Sequence, residues 1–494
     1  MKGSRFFIRA MLAVASVLFP ALFPALCGGV TLDVLSGEIA RGELVGRGET
    51  SLILRGSANA ADLAWIADNC RELRLLDLGG LTIEPCSLDK GLANGLREFP
   101  GGVLPAYSLS GLTAQTLVLP EGISEICDGA LLGSAVTGLT LPASVRLIGQ
   151  GAFAACEALR HVSLGASVEI IGPCAFRGCV SLASVEADGS RLVEIGEKAF
   201  SGCRKLSALT FTSPDPALTA IGDEAFVATA LQTLDLSACT ALRSIGRRAF
   251  AACASLEELV LPSGVVSIGD GVLFDCQSLR TFALPEALND LPAMALAGAS
   301  ALEDISLHDG VRSLGEYSLT GIDGITGLSL PSSLREIGTG VFEGWSSLQT
   351  LMVDKHSEVP ILGADVWAGV NQSEAILTVA PGLEAEFAAA PQWKEFMIRT
   401  PDESTLDRVP AIDDQAAAVL DAKLENSVLT VKSSEKISAV TVYDTDGRAV
   451  FGIGANGSTA LETATGLPVG RIYIVALRLH SGVETGIKLV NIKL

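Results

Sequence analysis

The fold of this 494-residue chain is decided by the stretch Ile148-Gly149-Gln150-Gly151-Ala152-Phe153-Ala154-Ala155-Cys156-Glu157-Ala158-Leu159-Arg160-His161-Val162-Ser163-Leu164. Its pattern, I-G-x-x-A-F-x-x-C-x-x-L-x-x-L-x-L, recurs along the chain with some substitutions. The first residue of each copy, an Ile or its Leu substitute, stands at positions 126, 148, 171, 195, 221, 245, 268, 291, 314, 337 and 362. The ten intervals span 236 residues and average about 23.6. A repeat of this length predicts a solenoid in which each copy forms one turn.

The leucine positions predict the kind of solenoid. A 20–29-residue period with L-x-x-L-x-L is typical of an α/β-type leucine-rich repeat. We therefore expect a parallel β-ribbon on one face and short helices or irregular turns on the other. Residues 104–109, which lie 22 residues before Ile126, resemble a degenerate copy and bring the expected count to about twelve turns.

Composition and charge fit such a stack and exclude one class of partner. Hydrophobic residues make up 49% of the chain but aromatic residues only 5%, so Leu, Ile, Val and Ala must form the core. Thirty-five basic residues against 56 acidic ones give a net charge of −21. An acidic surface repels phosphate backbones, so we expect no nucleic-acid partner.

The first 27 residues have the features of an export signal. Lys2, Arg5 and Arg9 form a basic region, residues 10–19 an apolar one, and residues 25–27 a possible cleavage site. No other stretch approaches 18 uninterrupted apolar residues, so we expect an exported protein without a membrane-spanning helix. Lipidation of Cys27 is the alternative, although Leu26 is larger than the residue that usually precedes a lipidated cysteine.

Eleven cysteines in an exported chain raise the question of disulfide bonds. Five occupy one repeat position: Cys156, Cys179, Cys203, Cys253 and Cys276. Equivalent side chains in neighbouring turns run parallel at about 4.7–4.9 Å, wider than the roughly 3.8 Å between the Cβ atoms of a disulfide. We therefore expect buried thiols at these five positions.

Cys70 and Cys86 lie outside this repeat position and are the best candidates for a disulfide bond. The chain has no C-x-x-C pair, and its four histidines are far apart in sequence. We therefore predict no metal site and no cofactor.

The segments outside the regular repeats predict the domain organisation. Asn59 can cap a helix over residues 60–69, with Asp62 in its first turn, and a short helix with Trp393 can close the other end of the stack. The final residues alternate with period two and predict a small antiparallel β-sandwich. The predicted segments are a signal peptide (1–27), an N-terminal cap with the first strand (28–98), the solenoid (99–380), a C-terminal cap (381–399), a linker (400–415) and the β-sandwich (416–494).

The β-ribbon presents the first candidate binding surface, because equivalent outward positions form lanes across the turns. One predicted lane contains Thr116, His161, Ser184, Thr233, Glu258, Thr281, Asp304 and Thr350. Its neighbour contains Thr140, Ser163, Glu186, Thr210, Asp235, Ser306 and Ser329. These residues are small, polar and mildly acidic, without the Trp, Tyr or Arg that dominate binding hot spots. A protein-binding face and a merely solvated face both fit this composition.

Sequence signals for catalysis are poor. Gly338-Thr339-Gly340 is a turn of the repeat, because no βαβ unit surrounds it. The stretch Asp444-Thr445-Asp446-Gly447 resembles the start of a calcium loop, but Arg448 follows and no Glu stands at the twelfth position. No serine is paired with a histidine in a recognisable setting, so we predict that the protein is not an enzyme.

The repeat phrase and its two ends, over residues 48–398, resemble the BspA-like leucine-rich repeat surface proteins of bacteria. This resemblance implies secretion or surface attachment, and adhesion to host matrix proteins or other microbes. The last segment resembles the sorting domain of the type IX secretion system, with Arg471 where that family more often has Gly. It implies a contact with the secretion machinery, and the residues that carry this motif are Tyr443, Gly447, Arg448, Gly470, Tyr473 and Lys488.

Together these observations predict an exported or cell-surface protein that binds other proteins through a leucine-rich repeat solenoid. A structural cell-envelope scaffold without a specific ligand is the first alternative, and a hydrolase is the second. The sequence leaves open the ligand, the oligomeric state and whether the C-terminal domain is removed after export.

Overall fold

The computed structural model describes residues 30–42, 45–46, 48–88, 92, 95–353, 358–400, 420–425, 428–443, 449–464, 472–479 and 484–490. They form two units, with the division between Arg399 and Thr400. The predicted signal peptide, including Cys27, and nearly all of the predicted linker lie outside the described residues.

Sixteen parallel strands, here called the front sheet, run through the first unit. They are Val30–Val34, Ser51–Ala58, Leu75–Ile83, Thr116–Val118, Gly138–Thr140, His161–Leu164, Ser184–Ala187, Ala208–Phe211, Thr233–Asp235, Glu258–Val260, Thr281–Ala283, Asp304–Ser306, Gly327–Ser329, Thr350–Val353, Ile376–Val379 and Met397–Arg399. Hydrogen bonds join them in consecutive groups of eight, four and four. The predicted parallel ribbon is confirmed.

Alternation along each strand decides which side chains enter the core. Leu117 and Leu119 are 6% and 3% exposed, whereas Thr116, before Leu117, and Val118, between the two leucines, are half-buried. Successive side chains of a strand point to opposite faces, so the leucines of every copy face inward. Burial of these leucines fixes the strand register, because a slip of one residue would expose their side chains to solvent.

The predicted count of about twelve turns is too low, since the front sheet has sixteen strands. Five of these strands lie at the two ends of the unit, where the Ile-Gly phrase is absent. Val30–Val34, Ser51–Ala58 and Leu75–Ile83 precede the repeats, and Ile376–Val379 and Met397–Arg399 follow them. These strands pair in the same parallel sense, so the sheet continues beyond the sequence repeat.

A second parallel sheet, here called the rear sheet, lies where short helices or irregular turns were expected opposite the ribbon. Its strands are Glu125–Ile126, Leu147–Ile148, Ile170–Ile171, Glu194–Ile195, Ala220–Ile221, Ser244–Ile245, Ser267–Ile268, Asp290–Leu291, Ser313–Leu314, Glu336–Ile337 and Ile361–Leu362. They pair in groups of seven and four. A further two-stranded antiparallel pair, Cys86–Ser87 with Glu98–Phe99, lies before the regular repeats.

The glycine that follows most rear strands permits a close approach of neighbouring turns. A Cβ added to Gly172 would lie 2.6 Å from the carbonyl oxygen of Ile148 in the preceding turn. Pro292 occupies this position in its turn, and the rear sheet is interrupted there, between Ile268 and Asp290. The glycine is therefore a packing requirement of the rear sheet.

The Phe of the repeat phrase forms a continuous stack inside the solenoid. The rings of Phe153, Phe176, Phe200, Phe226 and Phe250 follow one another with centroids 4.9–5.3 Å apart and nearly parallel planes. All five are at most 1% exposed. Phe residues at one repeat position therefore form a buried column across five turns of the solenoid.

The repeated cysteines lie beside this column, and all five are at most 1% exposed, as expected. Each thiol donates a hydrogen bond to a main-chain carbonyl of the preceding turn, for example from Cys203 Sγ to Phe176 O at 3.1 Å. The indole Nε1–H of Trp345 occupies the same position and donates to Leu319 O at 2.7 Å. Where Cys or Trp occupies this position, its buried side chain donates a hydrogen bond to the preceding turn; Ala299 and Ile322 fill the position in other turns with apolar groups alone.

Both ends of the stack are closed by caps. Helix α1, Ala60–Asn69, begins at Asn59, whose side chain accepts hydrogen bonds from the main-chain N–H groups of Ala61 and Asp62. The buried Asp62 carboxylate accepts N–H groups of Gly37, Ala40 and Asn59 at 2.7–3.0 Å. It thereby fastens α1 to the short 3₁₀ helix Ile39–Arg41.

The C-terminal cap is aromatic. Helix α2, Glu384–Ala389, buries Phe387 completely, and the following 3₁₀ helix Trp393–Glu395 buries Trp393. The Trp393 ring contacts Phe387 edge-on at 5.3 Å and lies 5.3 Å from Trp367. Phe387, Trp393 and Trp367 therefore form a buried aromatic cluster near the C-terminal end of the stack.

The second unit is an antiparallel sheet of five strands. These are Leu420–Glu425, Val428–Tyr443, Ala449–Ala464, Ile472–Leu479 and Glu484–Val490. The long strand Val428–Tyr443 is central, because it pairs with three of the other four. The strands and their antiparallel sense agree with the sequence, and their packing as a two-layer sandwich stays a prediction.

Candidate functional site

The two predicted lanes lie on the outward face of the front sheet. Of their fifteen residues, Thr116, His161 and Ser163 are half-buried and the other twelve are exposed. The exposed ones are Thr140, Ser184, Glu186, Thr210, Thr233, Asp235, Glu258, Thr281, Asp304, Ser306, Ser329 and Thr350. A partner that approaches this face would therefore meet all fifteen side chains.

Strand register brings lane members of neighbouring turns side by side. His161 pairs with Ser184, and Ser163 pairs with both Thr140 and Glu186. In the central group, Glu258 pairs with Thr233 and Thr281, and Thr281 pairs with Asp304. Neighbouring strands are about 4.8 Å apart, so each lane is a regular row of side chains.

The predicted lanes lack the members at the remaining positions of the strands from Thr116 onward. These members are Gly138, Ala208, Gly327, Ile376 and Met397 in the first lane and Val118, Val260, Ala283, Met352, Thr378 and Arg399 in the second. The repeat spacing alone would have located those between residues 116 and 352. The last strands, by contrast, lack the repeat phrase.

Negative charge is concentrated on the central turns of the front sheet. Glu186, Asp235, Glu258 and Asp304 lie in the lanes, and Glu257 and Glu303 immediately precede two first-lane residues. Arg280 is the lane-flanking cation in this group, and its Nη1 lies 3.5 Å from Glu303 Oε1. These groups are exposed, so their interactions are screened by salt.

Two positions on this face are shielded by large side chains. The His161 ring lies over Gly138 of the preceding turn, where an added Cβ would overlap the imidazole. Nearer the N-terminus, Arg55 lies over Gly80, and its Nη2 is 3.4 Å from Asp77 Oδ2. The face is therefore flat and polar, with hydroxyl and carboxylate groups as its main hydrogen-bonding groups.

The chemistry of the cysteines is that of a core, not of a reactive site. Burial raises the pKa of the Cys253 and Cys276 thiols above its ordinary value. At the half-buried Cys127, burial and the neighbouring Glu125 carboxylate raise the pKa to about 12. Since the thiolate is the nucleophile, these thiols are held in their unreactive form.

The predicted bond between Cys70 and Cys86 is wrong. Cys70 is fully buried below helix α1, with its Sγ 4.0 Å from Gly46 O, whereas Cys86 is half-buried in the separate two-stranded pair. Sequence does not show that the two side chains belong to different parts of the fold. Across the described ranges, no group of three or more His, Cys, Asp or Glu side chains could hold a metal ion.

Three of the six predicted sorting residues lie in strands of the second unit. Tyr443 pairs with Ile474, and Ile474 pairs in turn with Lys488, so Tyr443 and Lys488 flank one position of the strand Ile472–Leu479. Tyr473 is the neighbour of Ile474 and pairs with Leu489. Gly447, Arg448 and Gly470 lie outside the described residues.

Among the helices that the structure describes, none is long and apolar enough to cross a membrane. The two α-helices have ten and six residues and belong to the caps of the solenoid.

Family comparison assigns the repeats. Residues 124–244 and 243–369 match the BspA type leucine-rich repeat region, in six copies. This segment of the chain is therefore a BspA-type leucine-rich repeat region. The comparison with curated protein sequences gave no match.

One solved structure supports the fold assignment. A leucine-rich repeat protein from Bacteroides ovatus aligns with a TM-score of 0.53 at 20% identity, over 75% of this chain and 92% of its own. A leucine-rich cell surface protein from Faecalibacterium prausnitzii aligns at 18% identity and TM-score 0.26, over 49% of this chain and 83% of its own. The pneumococcal vaccine antigen PcpA aligns at 17% identity with a TM-score of 0.31, over 54% of this chain and 89% of its own. Only the first alignment supports the fold assignment.

Proposed function

We propose that the protein is a cell-surface interaction module whose front sheet binds another protein. The observation that carries this proposal is the pair of continuous lanes, which place exposed side chains at regular spacing over many turns. Repeats of this kind present extended surfaces suited to large partners. The cell-surface description of the Faecalibacterium protein agrees with the location.

The composition of the lanes indicates the mode of binding. Thr, Ser, Asp and Glu side chains offer many modest contacts, whereas tight binding usually needs buried aromatic or Arg anchors. The carboxylates of the central turns favour a partner with exposed Lys or Arg, since complementary charge accelerates encounter. We therefore propose a broad contact of modest affinity, strengthened where many copies are displayed together.

Export and sorting complete this proposal. The leader of residues 1–27 directs secretion, and the second unit serves as a sorting domain for the type IX secretion machinery. In this role Tyr443, Gly447, Arg448, Gly470, Tyr473 and Lys488 carry the motif that the machinery recognises. Removal of the second unit is then expected to retain the protein in the cell, and fractionation of the cells tests this.

A structural scaffold without a specific ligand is the second candidate. It is favoured by the absence of aromatic anchors among the fifteen predicted lane residues. Capture experiments with the immobilised full chain separate the two candidates, with host extracellular-matrix extract and bacterial surface extract as the probes. The interaction proposal predicts saturable, salt-sensitive capture of a basic protein, and an unsaturable signal from both extracts would support the scaffold.

A further inference from the structure

The exposed apolar side chains of the solenoid include one that stands apart. Among the exposed large hydrophobic residues described, Phe274 is the aromatic one, with 38% of its surface accessible. It lies outside the front sheet, immediately after Leu273, which occupies the position of the buried Phe column in this turn. The corresponding residues of the two neighbouring turns are Ala251 and Ala297, so Phe274 projects beyond them.

The surroundings of Phe274 form an apolar strip. Met294, in the next turn, is 40% exposed. That turn is joined to the Phe274 turn by hydrogen bonds from Gly271 N to Ala293 O and from Leu273 N to Ala295 O, both 2.8 Å. Tyr317 occupies the position of Met294 one turn further on, and its ring lies over Gly340.

Charged groups of opposite sign stand at the two ends of this strip. At one end, the Arg248 guanidinium lies 5.8 Å from the centroid of the Phe274 ring. At the other end, Glu316 precedes Tyr317 and is exposed. Within the described residues neither Arg248 nor Glu316 forms a salt bridge, whereas the adjacent Arg247 is bound to Asp223 at 2.9 Å. We call Arg248, Phe274, Met294, Glu316 and Tyr317 the rear strip.

The order of these groups makes the rear strip complementary to itself. A surface with a cation at one end, a carboxylate at the other and mainly apolar side chains between them, apart from the exposed Asp270, matches its own copy turned by 180°. In that arrangement Arg248 of each copy meets Glu316 of the other, and Phe274 and Met294 meet near the twofold axis. Phe, Tyr, Met and Arg are also the residue types enriched at protein interfaces.

We propose that the rear strip is a self-association surface, and that its partner is a second copy of this chain in antiparallel orientation. The four turns involved extend over about 14 Å, from three spacings of about 4.8 Å. Such a strip buries on the order of 300–400 Å² per protomer, below the about 800 Å² of a stable interface. The dimer is therefore weak and reversible, with a dissociation constant on the order of 10–100 μM.

This surface is independent of the front sheet. The lanes and the rear strip share no residue, so a dimer leaves both front sheets open to other partners. Failure of the dimer would leave the interaction proposal for the front sheet unaffected.

Sedimentation velocity of the full chain between about 1 and 200 μM tests the proposal. Wild type is expected to show a reversible monomer–dimer equilibrium, and Phe274→Asp to weaken it at least about tenfold, since the carboxylate would be buried in the interface. Arg177→Glu, an exposed substitution at the position of Phe274 in a turn outside the strip, serves as the matched control and should leave the equilibrium unchanged. Far-UV circular dichroism verifies that each variant is folded.

A charge exchange tests the antiparallel geometry. Arg248→Glu and Glu316→Arg should each weaken the dimer, and the double variant should recover affinity to within about threefold of wild type. A chain that remains monomeric at every concentration overturns the proposal. So does a double variant no better than the single ones, or an Arg177→Glu variant that weakens as much as Phe274→Asp.

Discussion

The front sheet and the rear sheet pass through the same turns, yet they constrain their residues differently. Next to the rear strands the turns approach so closely that glycine recurs after the Ile, and the one proline at this position coincides with an interruption of the sheet. On the front sheet the outward positions hold Thr, Ser, Glu, Asp, Ala, Gly, Met and His within the paired groups of eight, four and four strands. The rear sheet therefore specifies the fold, while the front lanes can vary with the partner.

This contrast has a simple physical origin. Close backbone contact leaves no room for a Cβ, and every added atom must displace a neighbouring turn. An outward side chain meets only water and its lane neighbours, so its replacement changes few contacts. Substitutions should accordingly divide into those that unfold the stack and those that alter only its surface.

The largest expected effect comes from the buried Phe column. Phe200→Ala should lower the free energy of unfolding by about 3–5 kcal/mol, because it removes a fully buried ring and leaves a cavity between Phe176 and Phe226. Urea unfolding followed by circular dichroism measures this. Phe274→Ala removes an exposed ring and should cost less than about 1 kcal/mol; equal losses in the two variants would show that the column is not the core.

A smaller effect is expected at the rear sheet. Gly172→Ala should destabilise the solenoid by about 1–3 kcal/mol, since its Cβ would lie 2.6 Å from Ile148 O. Ser184→Ala, on the front lane of the same turn, should change stability by less than about 0.5 kcal/mol. The same urea experiment compares them, and a harmless Gly172→Ala would remove the basis of the contrast between the sheets.

The cysteine position sharpens the comparison further. Cys203→Val should cost about 1 kcal/mol or more, because Phe176 O would lose the thiol donor at 3.1 Å. Cys203→Ser keeps a donor and should retain more stability, as Ser134 and Thr229 already occupy this position in other turns. The melting temperatures of the two variants test this prediction. A serine variant less stable than the valine variant would indicate that cysteine occupies this position because of apolar packing.

Part of this architecture could be predicted from sequence because the repeat phrase is long and regular. The phrase located the strands from Thr116 to Val353, the inward leucines and the polar lane members, and local capping rules located α1 from Asn59 and Asp62. The place of the outer strands Val30–Val34 and Met397–Arg399 in the sheet was not predicted, because they lack the repeat phrase. They pair with the neighbouring strands and add side chains such as Val34 to the core, but no repeat spacing marks them.

The rear sheet and the pairing of Cys70 with Cys86 show a second limit. A two-residue strand such as Glu125–Ile126 is too short for any alternation to reveal it, and its existence depends on the neighbouring turns. The cysteine pairing was wrong because the Cys70 side chain is buried in the core. The number of residues between two cysteines does not show in which direction each side chain points. The proposed rear strip was missed because the repeat spacing places Arg248, Phe274 and Glu316 in nearby turns but does not show that their side chains are exposed.

One set of substitutions on the front lanes should change stability least and binding most. It tests whether the front sheet binds a partner while the rear sheet supports the fold. Glu186, Asp235, Glu258 and Asp304 are all replaced by Thr, a residue common in these lanes. The matched control replaces Glu157, Asp270, Glu343 and Glu374, four exposed carboxylates outside the front sheet, by Thr and so makes the same charge change.

For both variants we measure the melting temperature and the affinity for the basic protein captured from the matrix or bacterial surface extract. The account predicts that the front-lane variant keeps its melting temperature within about 2 °C, corresponding to less than about 0.5 kcal/mol, and loses at least about tenfold in affinity. The control should bind as wild type does. Equal binding by both variants, or unfolding of the front-lane variant, would contradict the division of the solenoid into a structural rear and a functional front.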